Sequence, residues 1–217
     1  MKTVYFVRHG ESEGNATEVY QAVDSPLTEK GRKQARMVAD RCSRLPIQAI
    51  ISSTQLRAKN TANIIAETTG HPVEFSDLFR ERRKPKALNG KPFSDPGARA
   101  LNERWWLSLI GEGSRAEDGE NFEDISTRAG KALEYLTQRP EKELLVVTHG
   151  FYLRYLAARA IYGEALTGTI FSSLARSLIM ENTGITVLRH DAKSSPEAWG
   201  QLGPWQFWIW NDHAHLG

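Results

Sequence analysis

Three scarcities restrict what this chain can be. Cys42 is its only cysteine, so no disulfide can form within the chain, and we expect a reducing compartment. No stretch of eighteen consecutive apolar residues occurs, and the N-terminus lacks a signal-peptide pattern. The formal net charge is only +2, too small for a global field that attracts nucleic acid or a membrane surface. We therefore predict a cytoplasmic protein with neither nucleic acid nor membrane as a partner.

The composition is that of an ordinary globular protein. Hydrophobic residues make up 40% of the 217 residues and charged residues 25%, which argues against a disordered or fibrous chain. This length suits one sizeable α/β domain, so we predict a single domain over residues 1–217. Prolines and five glycines interrupt residues 82–120. We interpret that segment, with one helix around 98–110, as an excursion over an edge of the sheet.

Two apolar runs end in the same pair of residues. The run 3–7 is followed by an arginine, His9 and a glycine, and the run 144–147 is followed by a threonine, His149 and a glycine. Runs without polar alternation are typical of strands covered on both faces in a parallel sheet. Such sheets bind ligands beyond the carboxyl ends of their strands. The pattern predicts a three-layer α/β sandwich, with a mostly parallel central sheet, helices on both faces, and two imidazoles at one crevice.

The rest of the chain alternates between helical and strand patterns. Thr28 is a plausible N-cap for a helix that Pro46 stops, and Asn121 can cap another that ends before Pro140. Cys42 falls on the apolar face of the first and is expected in the core. The remaining pattern predicts strands at 48–53, 73–75, 177–181, 185–189 and 205–210, and helices at 56–70 and 151–162.

Two arginines are expected at the same sheet edge as the histidines. Arg8 precedes His9, and Arg57 lies in the first turn of a helix, where the helix dipole disfavours a cation unless solvent or an anion offsets it. Two planar guanidinium groups suit a phosphoryl dianion. Nearby positive charge also disfavours imidazolium, so at least one histidine should be neutral near pH 7. A neutral imidazole beside a phosphoryl group is a nucleophile.

Paired histidines also raise the alternative of a metal site. Zinc or iron would need carboxylate or thiolate ligands close by, and the arginines would repel the ion. His213 and His215 have a metal-like spacing, but we interpret them as part of a mobile C-terminal tail. No metal site and no cofactor is predicted.

A family resemblance rests on motifs that span nearly the whole chain. The sequence is similar to the histidine phosphatase superfamily, the phosphoglycerate mutase-like proteins, and the resemblance implies their fold. Its motifs are Arg8-His9-Gly10-Glu11-Ser12 with Asn15, Pro26 to Gly31, Ser52-Ser53 with Leu56-Arg57-Ala58, Leu78 to Glu81, and Thr148-His149-Gly150.

The resemblance implies roles for these residues. His9 would be the phosphorylated nucleophile and Glu81 the proton donor. The catalytic set is completed by Arg8, Arg57 and His149, which also bind substrate together with Asn15 and Gly150.

The function implied is a metal-independent phosphatase that acts on a small phosphorylated substrate through a phosphohistidine. A bisphosphoglycerate-dependent mutase and a non-catalytic phosphoester-binding scaffold are the alternatives. The basic segment 82–86 departs from the pattern of many relatives, so the resemblance does not identify the substrate. That segment either binds a second anionic group or is solvated. Glu11 or a residue of the excursion is the alternative to Glu81 as the acid. The oligomeric state is left open, with a homodimer as one option.

Overall fold

The computed structural model describes residues 1–15, 18–20, 24–192 and 203–217, without the side chain of Asn15. Its strands are β1 Lys2–Arg8, β2 Ala49–Ser52, β3 Val73–Phe75, β4 Glu143–Thr148, β5 Ile185–His190 and β6 Trp205–Asp212. Its helices are α1 Glu29–Cys42, α2 Leu56–Thr69, α3 Pro96–Leu109, α4 Phe122–Gln138, α5 Gly150–Tyr162 and α6 Gly168–Ser177. Among the described residues, no helix is both long and apolar enough to cross a membrane.

One mixed sheet contains all six strands, in the order β3-β2-β4-β1-β5-β6. The first four are parallel to one another, whereas β5 and β6 pair antiparallel at one side. In the β1–β4 ladder Arg8 lies opposite Thr148, so the next residues, His9 and His149, leave the sheet side by side. The predicted, mostly parallel α/β sheet is confirmed.

Alternate residues of the central strands pack into two separate cores. Val4 and Phe6 face a cluster built with α3, α4, α5 and α6. Val7 and Val147 face the opposite cluster, where α1 and α2 pack and Cys42 is fully buried. Since side chains along a strand alternate between its faces, helices cover both sides of the sheet. This confirms the three-layer sandwich.

Side-chain caps define where the helices begin. The Thr28 hydroxyl accepts a hydrogen bond from the backbone N–H of Gly31 at 2.9 Å, as the sequence predicts. Asn121 and Asp124 form a reciprocal capping box at the start of α4, which satisfies two otherwise free N–H groups. Asp95 caps α3, whose first residue is a proline, a residue that fits this position because it has no N–H to satisfy.

The predicted strand at 177–181 is wrong. Residues 168–177 form α6, capped by Thr167, with Phe171 and Ala175 on its buried side. Beyond α6, residues 178–181 are not in a strand. The carbonyl of Ile179 accepts from the indole N–H of the Trp210 side chain at 2.7 Å and not from the backbone of a neighbouring strand. Residues 164–176 were assigned to no element from the sequence, so α6, whose buried residues Phe171 and Ala175 are four positions apart, was missed.

The segment 82–120 contains α3 and contributes to the core. Trp105 and Leu109 pack into the same cluster as Val4 and Phe6. The indole N–H of Trp105 donates to the carbonyl of Glu120 at 3.0 Å. This hydrogen bond connects the C-terminal end of the segment to α3.

We expect Gly31→Ala to destabilise the protein. The chain after His9 crosses the start of α1 so closely that a Cβ at Gly31 would lie 1.9 Å from the backbone oxygen of Glu11. Relieving such an overlap should lower the free energy of unfolding by about 1 to 3 kcal/mol, measured by urea denaturation. Gly97→Ala in α3, where the nearest atom is 3.4 Å away, is the control and should shift stability by less than about 1 kcal/mol. Equal effects would refute the close approach.

Candidate active site

His9 follows β1 directly, and its hydrogen bonds define the tautomer of its ring. Its backbone N–H donates to the carbonyl of Thr148 at 3.0 Å, and its Nδ1 lies 2.7 Å from the carbonyl oxygen of Gly10. A carbonyl only accepts hydrogen bonds, so Nδ1 carries the proton and Nε2 keeps its lone pair. That lone pair accepts from Nε of Arg57 at 3.0 Å. Nε2 is therefore the basic, nucleophilic atom of this ring.

His149 lies against His9 in an edge-on arrangement. The two ring centroids are 5.0 Å apart, and His149 is completely buried. Its Nε2 lies 2.8 Å from the hydroxyl of Ser53, at the end of β2. Its Nδ1 is buried without a hydrogen-bond partner among the described residues.

Both histidines are neutral. Burial lowers the pKa of His9 well below its usual value, and the charges of Arg57 and then Arg8 lower it further. Burial likewise lowers the pKa of His149 well below its usual value, with Arg57 as the next cause. A low dielectric and neighbouring cations both disfavour imidazolium. His9 is therefore nucleophilic at neutral pH without a base to deprotonate it.

Two arginines flank the histidine pair. Arg57 is only 6% exposed, and its Nη2 donates to Oε1 of Gln55 at 3.2 Å. Arg8 donates to the carbonyl of Met180, and its Nε has no partner among the described residues. Burial lowers the pKa of both guanidinium groups, whereas the charge of Glu81 raises it. The structure thus brings Arg8 and Arg57 together as the sequence predicts.

Glu81 lies at the N-terminus of α5, close to the same group. Its Oε1 accepts from the backbone N–H of Arg82 at 2.9 Å and of Tyr152 at 3.0 Å. Its Oε2 accepts from the N–H of Phe151 at 3.4 Å. These three hydrogen bonds hold the Glu81 carboxyl group against the start of α5. This explains how a carboxyl group is held among several arginines.

Glu11, the alternative acid, is engaged elsewhere. Its carboxylate accepts from Thr28 and Lys30, both at 2.9 Å. Unlike Glu81, it does not line the cavity in front of His9. The geometry favours Glu81 over Glu11 as the proton donor.

Two side chains that the sequence analysis missed hold the Glu81 segment. Arg128 of α4 donates to both carboxylate oxygens of Glu120, each at 2.9 Å, and to the carbonyl of Arg80 at 2.7 Å. Gln55 accepts from both Arg57 and the backbone N–H of Glu81. A charged residue directly beside the apolar stripe of an amphipathic helix was the available signal for Arg128. Gln55 gave none, since its contact to the Glu81 segment spans 26 positions.

The site opens into a cavity of about 580 Å³. Gly150 lies at its wall, where a Cβ would come 3.2 Å from Nε of Arg8, so the glycine leaves room for that guanidinium. Asn15 ends a 3-10 turn, but its side chain lies outside the described part of the structure. The cavity is lined by Arg8, His9, Val19, Tyr20, Gln55, Arg57, Arg80, Glu81, Arg82, Arg83, Lys84, Lys86, Asn89, Phe93, Asn102, Trp105, Gly150, Phe151 and Arg154.

No group of three or more potential metal-ligating side chains occurs within the described residues. His213 and His215 belong to a C-terminal turn rather than to a shared site. His215 lies 3.1 Å from the hydroxyl of Thr183, and His213 lies 2.8 Å from the carbonyl of Asn211.

Comparison with known proteins relates the chain to one superfamily. The model of the histidine phosphatase superfamily (branch 1) matches residues 4–199. The probable phosphoglycerate mutase GpmB of Enterobacter sp. (strain 638) is 33% identical over 227 residues, covering 100% of this chain and 95% of that protein. GpmB of Escherichia coli O1:K1 / APEC is 36% identical over 165 residues, covering 73% and 74% of the two chains.

Solved structures share the fold. Bacillus stearothermophilus YhfR matches with a TM-score of 0.81 and 27% identity over the full length of both chains. A mycobacterial glucosyl-3-phosphoglycerate phosphatase, solved with VO3, matches with a TM-score of 0.74 and 23% identity, covering 97% of this chain and 99% of its own. At that identity the second match supports the fold alone.

Acidification should destabilise the protein through its buried imidazoles. Below pH 6.5 the unfolded chain protonates His9 and His149, whereas the folded chain, with its lowered pKa values, does not. Stability should therefore be fully present above pH 6.5 and fall as the pH drops towards the folded-state values. Each imidazole should contribute a slope of up to about 1.4 kcal/mol per pH unit. Urea denaturation from pH 7.5 to 5 measures it, and His149→Gln should flatten it. An unchanged slope would contradict the neutral, buried state.

Proposed function

Because the chain belongs to the histidine phosphatase superfamily, we propose that it is a metal-independent phosphatase acting on a small phosphomonoester through a phosphohistidine. The observation that carries this proposal is the state of His9. Its unprotonated Nε2 accepts from Nε of Arg57 at 3.0 Å, and burial together with the charges of Arg57 and Arg8 lowers the pKa of the ring well below its usual value. A neutral nucleophile among fixed cations suits attack on a dianionic phosphoryl group.

In the first step Nε2 of His9 attacks phosphorus while the ester P–O bond breaks on the opposite side. Glu81, acting as a carboxylic acid, gives its proton to the departing alkoxide. Arg8, Arg57 and His149 stabilise the equatorial oxygens, where the charge of the transition state is greatest. The carbonyl of Gly10 keeps the proton on Nδ1 and so offsets the positive charge that the ring acquires.

In the second step water replaces the alcohol. Glu81, now a carboxylate, takes a proton from the attacking water, and the N–P bond breaks to release inorganic phosphate and neutral His9. Protons balance over the cycle, since Glu81 loses one in the first step and regains one in the second. The arginines and His149 supply the charge stabilisation, so the mechanism needs no metal ion.

A mutase is the second candidate, supported by the names of the relatives. Two of them are called probable phosphoglycerate mutases at 33% and 36% identity. The chain covers 95% of one of them, so its length does not argue against this activity. A mutase would return the phosphoryl group from His9 to a phosphoglycerate instead of to water. The chemistry on the enzyme is the same up to the phosphohistidine.

The non-catalytic scaffold is disfavoured by the completeness of the site. His9, Arg8, Arg57 and His149 are all present and adjacent. A cytoplasmic location remains a prediction from the sequence, and the oligomeric state stays open, with a homodimer as one option.

We expect the chelator-treated protein to release inorganic phosphate from members of a phosphomonoester panel. His9→Ala should lower turnover at least on the order of a thousandfold and abolish covalent phosphate incorporation, because the nucleophile is lost. His71→Ala, in the loop after α2, is the control. Isomerised phosphoglycerate without net phosphate release would assign the mutase. Phosphate binding without either product would assign the scaffold.

Glu81→Gln should discriminate between leaving groups. Loss of the proton donor is expected to slow hydrolysis of alkyl phosphates on the order of a hundredfold to ten-thousandfold. Hydrolysis of p-nitrophenyl phosphate should fall far less, since nitrophenolate leaves without a proton. Single-turnover rates measure both, with Glu11→Gln as the matched control. Equal losses on the two substrates would remove Glu81 from this role.

A further inference from the structure

Gln55 is a buried carboxamide with no part in the proposed reaction. It occupies the N-cap position of α2, where a side chain commonly accepts from the first turn of the helix, but its own side chain makes no such hydrogen bond. Its backbone N–H donates to the hydroxyl of Ser53 at 3.2 Å, and its carbonyl accepts from the N–H groups of Ala58 and Lys59. The backbone is thus fixed at the junction of β2 and α2, while the side chain extends away from the helix.

Two donors determine which way the carboxamide of Gln55 is turned. Its Oε1 accepts from Nη2 of Arg57 and from the backbone N–H of Glu81, both at 3.2 Å. Neither of these groups can accept a hydrogen bond, so the oxygen and not the nitrogen must occupy that position. The amide plane therefore directs Nε2, with its two N–H bonds, away from these donors.

The amide nitrogen of Gln55 faces the cavity in front of His9. The residue is only 8% exposed, and it lines that cavity. In the part of the chain that the structure describes, no group accepts a hydrogen bond from its Nε2. That nitrogen is nevertheless not shut off from accessible space, so its N–H bonds point into the cavity. A well-buried side chain thus presents two donors to any ligand that enters.

The contacts of Gln55 place it beside the position of the phosphoryl group in the proposed reaction. Arg57 donates from Nε to Nε2 of His9 at 3.0 Å and from Nη2 to Gln55, whose oxygen also accepts from the backbone of Glu81. In an in-line transfer the nucleophile and the leaving oxygen lie on opposite sides of phosphorus. Gln55 connects the two sides, so its Nε2 borders the equatorial oxygens between them.

A neutral donor suits this position. Burial lowers the pKa of Arg57, and the charge of Arg8 lowers it further, against the opposing effect of Glu81. Another guanidinium at residue 55 would add to this repulsion, whereas a carboxamide adds N–H donors without charge. Its hydrogen bond to a charged phosphoryl oxygen would be stronger than one between neutral groups.

We propose that Gln55 is a further substrate-binding residue, and that its Nε2 donates a hydrogen bond to an equatorial phosphoryl oxygen. The inference rests on the proposed phosphatase function and adds a ligand contact to that same site. When the lone pair of His9 forms the bond to phosphorus, Arg57 loses its contact to that nitrogen. Gln55 continues to hold the guanidinium through Oε1 while it binds the phosphoryl group through Nε2.

Side-chain amide resonances report this contact directly. In a proton–nitrogen NMR spectrum of the wild type, we expect inorganic phosphate to move a carboxamide proton of Gln55 downfield, because a charged acceptor deshields the donated proton. The Gln55→Met variant lacks the signal and so assigns it. Gln48 is the control, since its Oε1 likewise accepts two backbone N–H groups, from residues 142 and 143, but its side chain is exposed. Bound phosphate without a shift at Gln55 would overturn the proposal.

Two substitutions separate the donor of Gln55 from its acceptor. Gln55→Met removes both and should lower the affinity for inorganic phosphate, measured by isothermal titration, about tenfold, since a hydrogen bond to a charged group is lost. Gln55→Glu keeps an oxygen for Arg57 and Glu81 but replaces the donor with a second oxygen. The affinity should then fall further, on the order of a hundredfold, because like charges face each other.

Gln48→Glu makes the same replacement away from the cavity and should leave phosphate affinity unchanged. If the carboxamide only supported its neighbours, Gln55→Glu would keep both acceptor contacts and bind phosphate as tightly as the wild type, which would overturn the proposal. A loss with Gln55→Glu but none with Gln55→Met would reflect the added charge alone and would also overturn it.

Kinetics distinguish this contact from support of Glu81. Because every substrate carries the same phosphoryl group, Gln55→Met should lower kcat/KM for alkyl phosphates and for p-nitrophenyl phosphate by a similar factor, about tenfold. The carboxyl group of Glu81 is held by three backbone N–H groups, which the substitution leaves in place. A loss confined to alkyl phosphates would identify Gln55 as a support for the proton donor and refute the ligand contact.

This inference and the proposed function can fail separately. If phosphate shifts the Gln55 signal while no ester is hydrolysed, the phosphatase is wrong and the contact stands. If esters are hydrolysed but phosphate leaves the Gln55 signal unmoved, the contact is wrong and the phosphatase stands.

Discussion

The pairing of β1 with β4 is the constraint on which the site depends. Arg8 lies opposite Thr148, and the hydrogen bond from the N–H of His9 to the Thr148 carbonyl continues the ladder by one residue. Both strands are buried on both faces, so slipping by one residue would turn every apolar side chain toward the wrong core. The packing of both hydrophobic cores therefore selects this register, and the register places the rings of His9 and His149 5.0 Å apart.

Burial has opposite effects on the two kinds of residue in the site. It keeps the histidines neutral, which provides a nucleophile, and it makes the arginines expensive to keep charged. Glu81 meets part of that cost, but it also accepts three backbone N–H groups and so cannot neutralise every cation nearby. The phosphoryl dianion of the proposed substrate would supply the missing negative charge, so the burial that makes His9 reactive also favours an anionic ligand.

The elements and site residues that were predicted correctly are those that leave a local pattern in the sequence. Apolar runs located β1 and β4, capping residues located the starts of α1 and α4, and the dipole argument singled out Arg57. Prediction from the sequence failed where the position of a residue depends on contacts to residues far away in the chain. The α6 helix was missed, and the residues after it were taken for a strand because a short apolar stretch fits more than one pattern. Gln55 and Arg128 act through contacts to residues 26 and 48 positions away, and the orientation of Arg82 depends on Trp105 and Phe151.

The segment that carries Glu81 is held by two helices. Arg128 holds its carbonyls from α4, and the first N–H groups of α5 hold the Glu81 carboxylate. In the proposed reaction this clamped segment presents the Glu81 carboxyl group to the leaving group. Because α4 and α5 both pack in the core, Glu81 keeps a fixed position relative to the strand ends that carry His9 and His149, which is the condition for an efficient proton transfer to the departing oxygen.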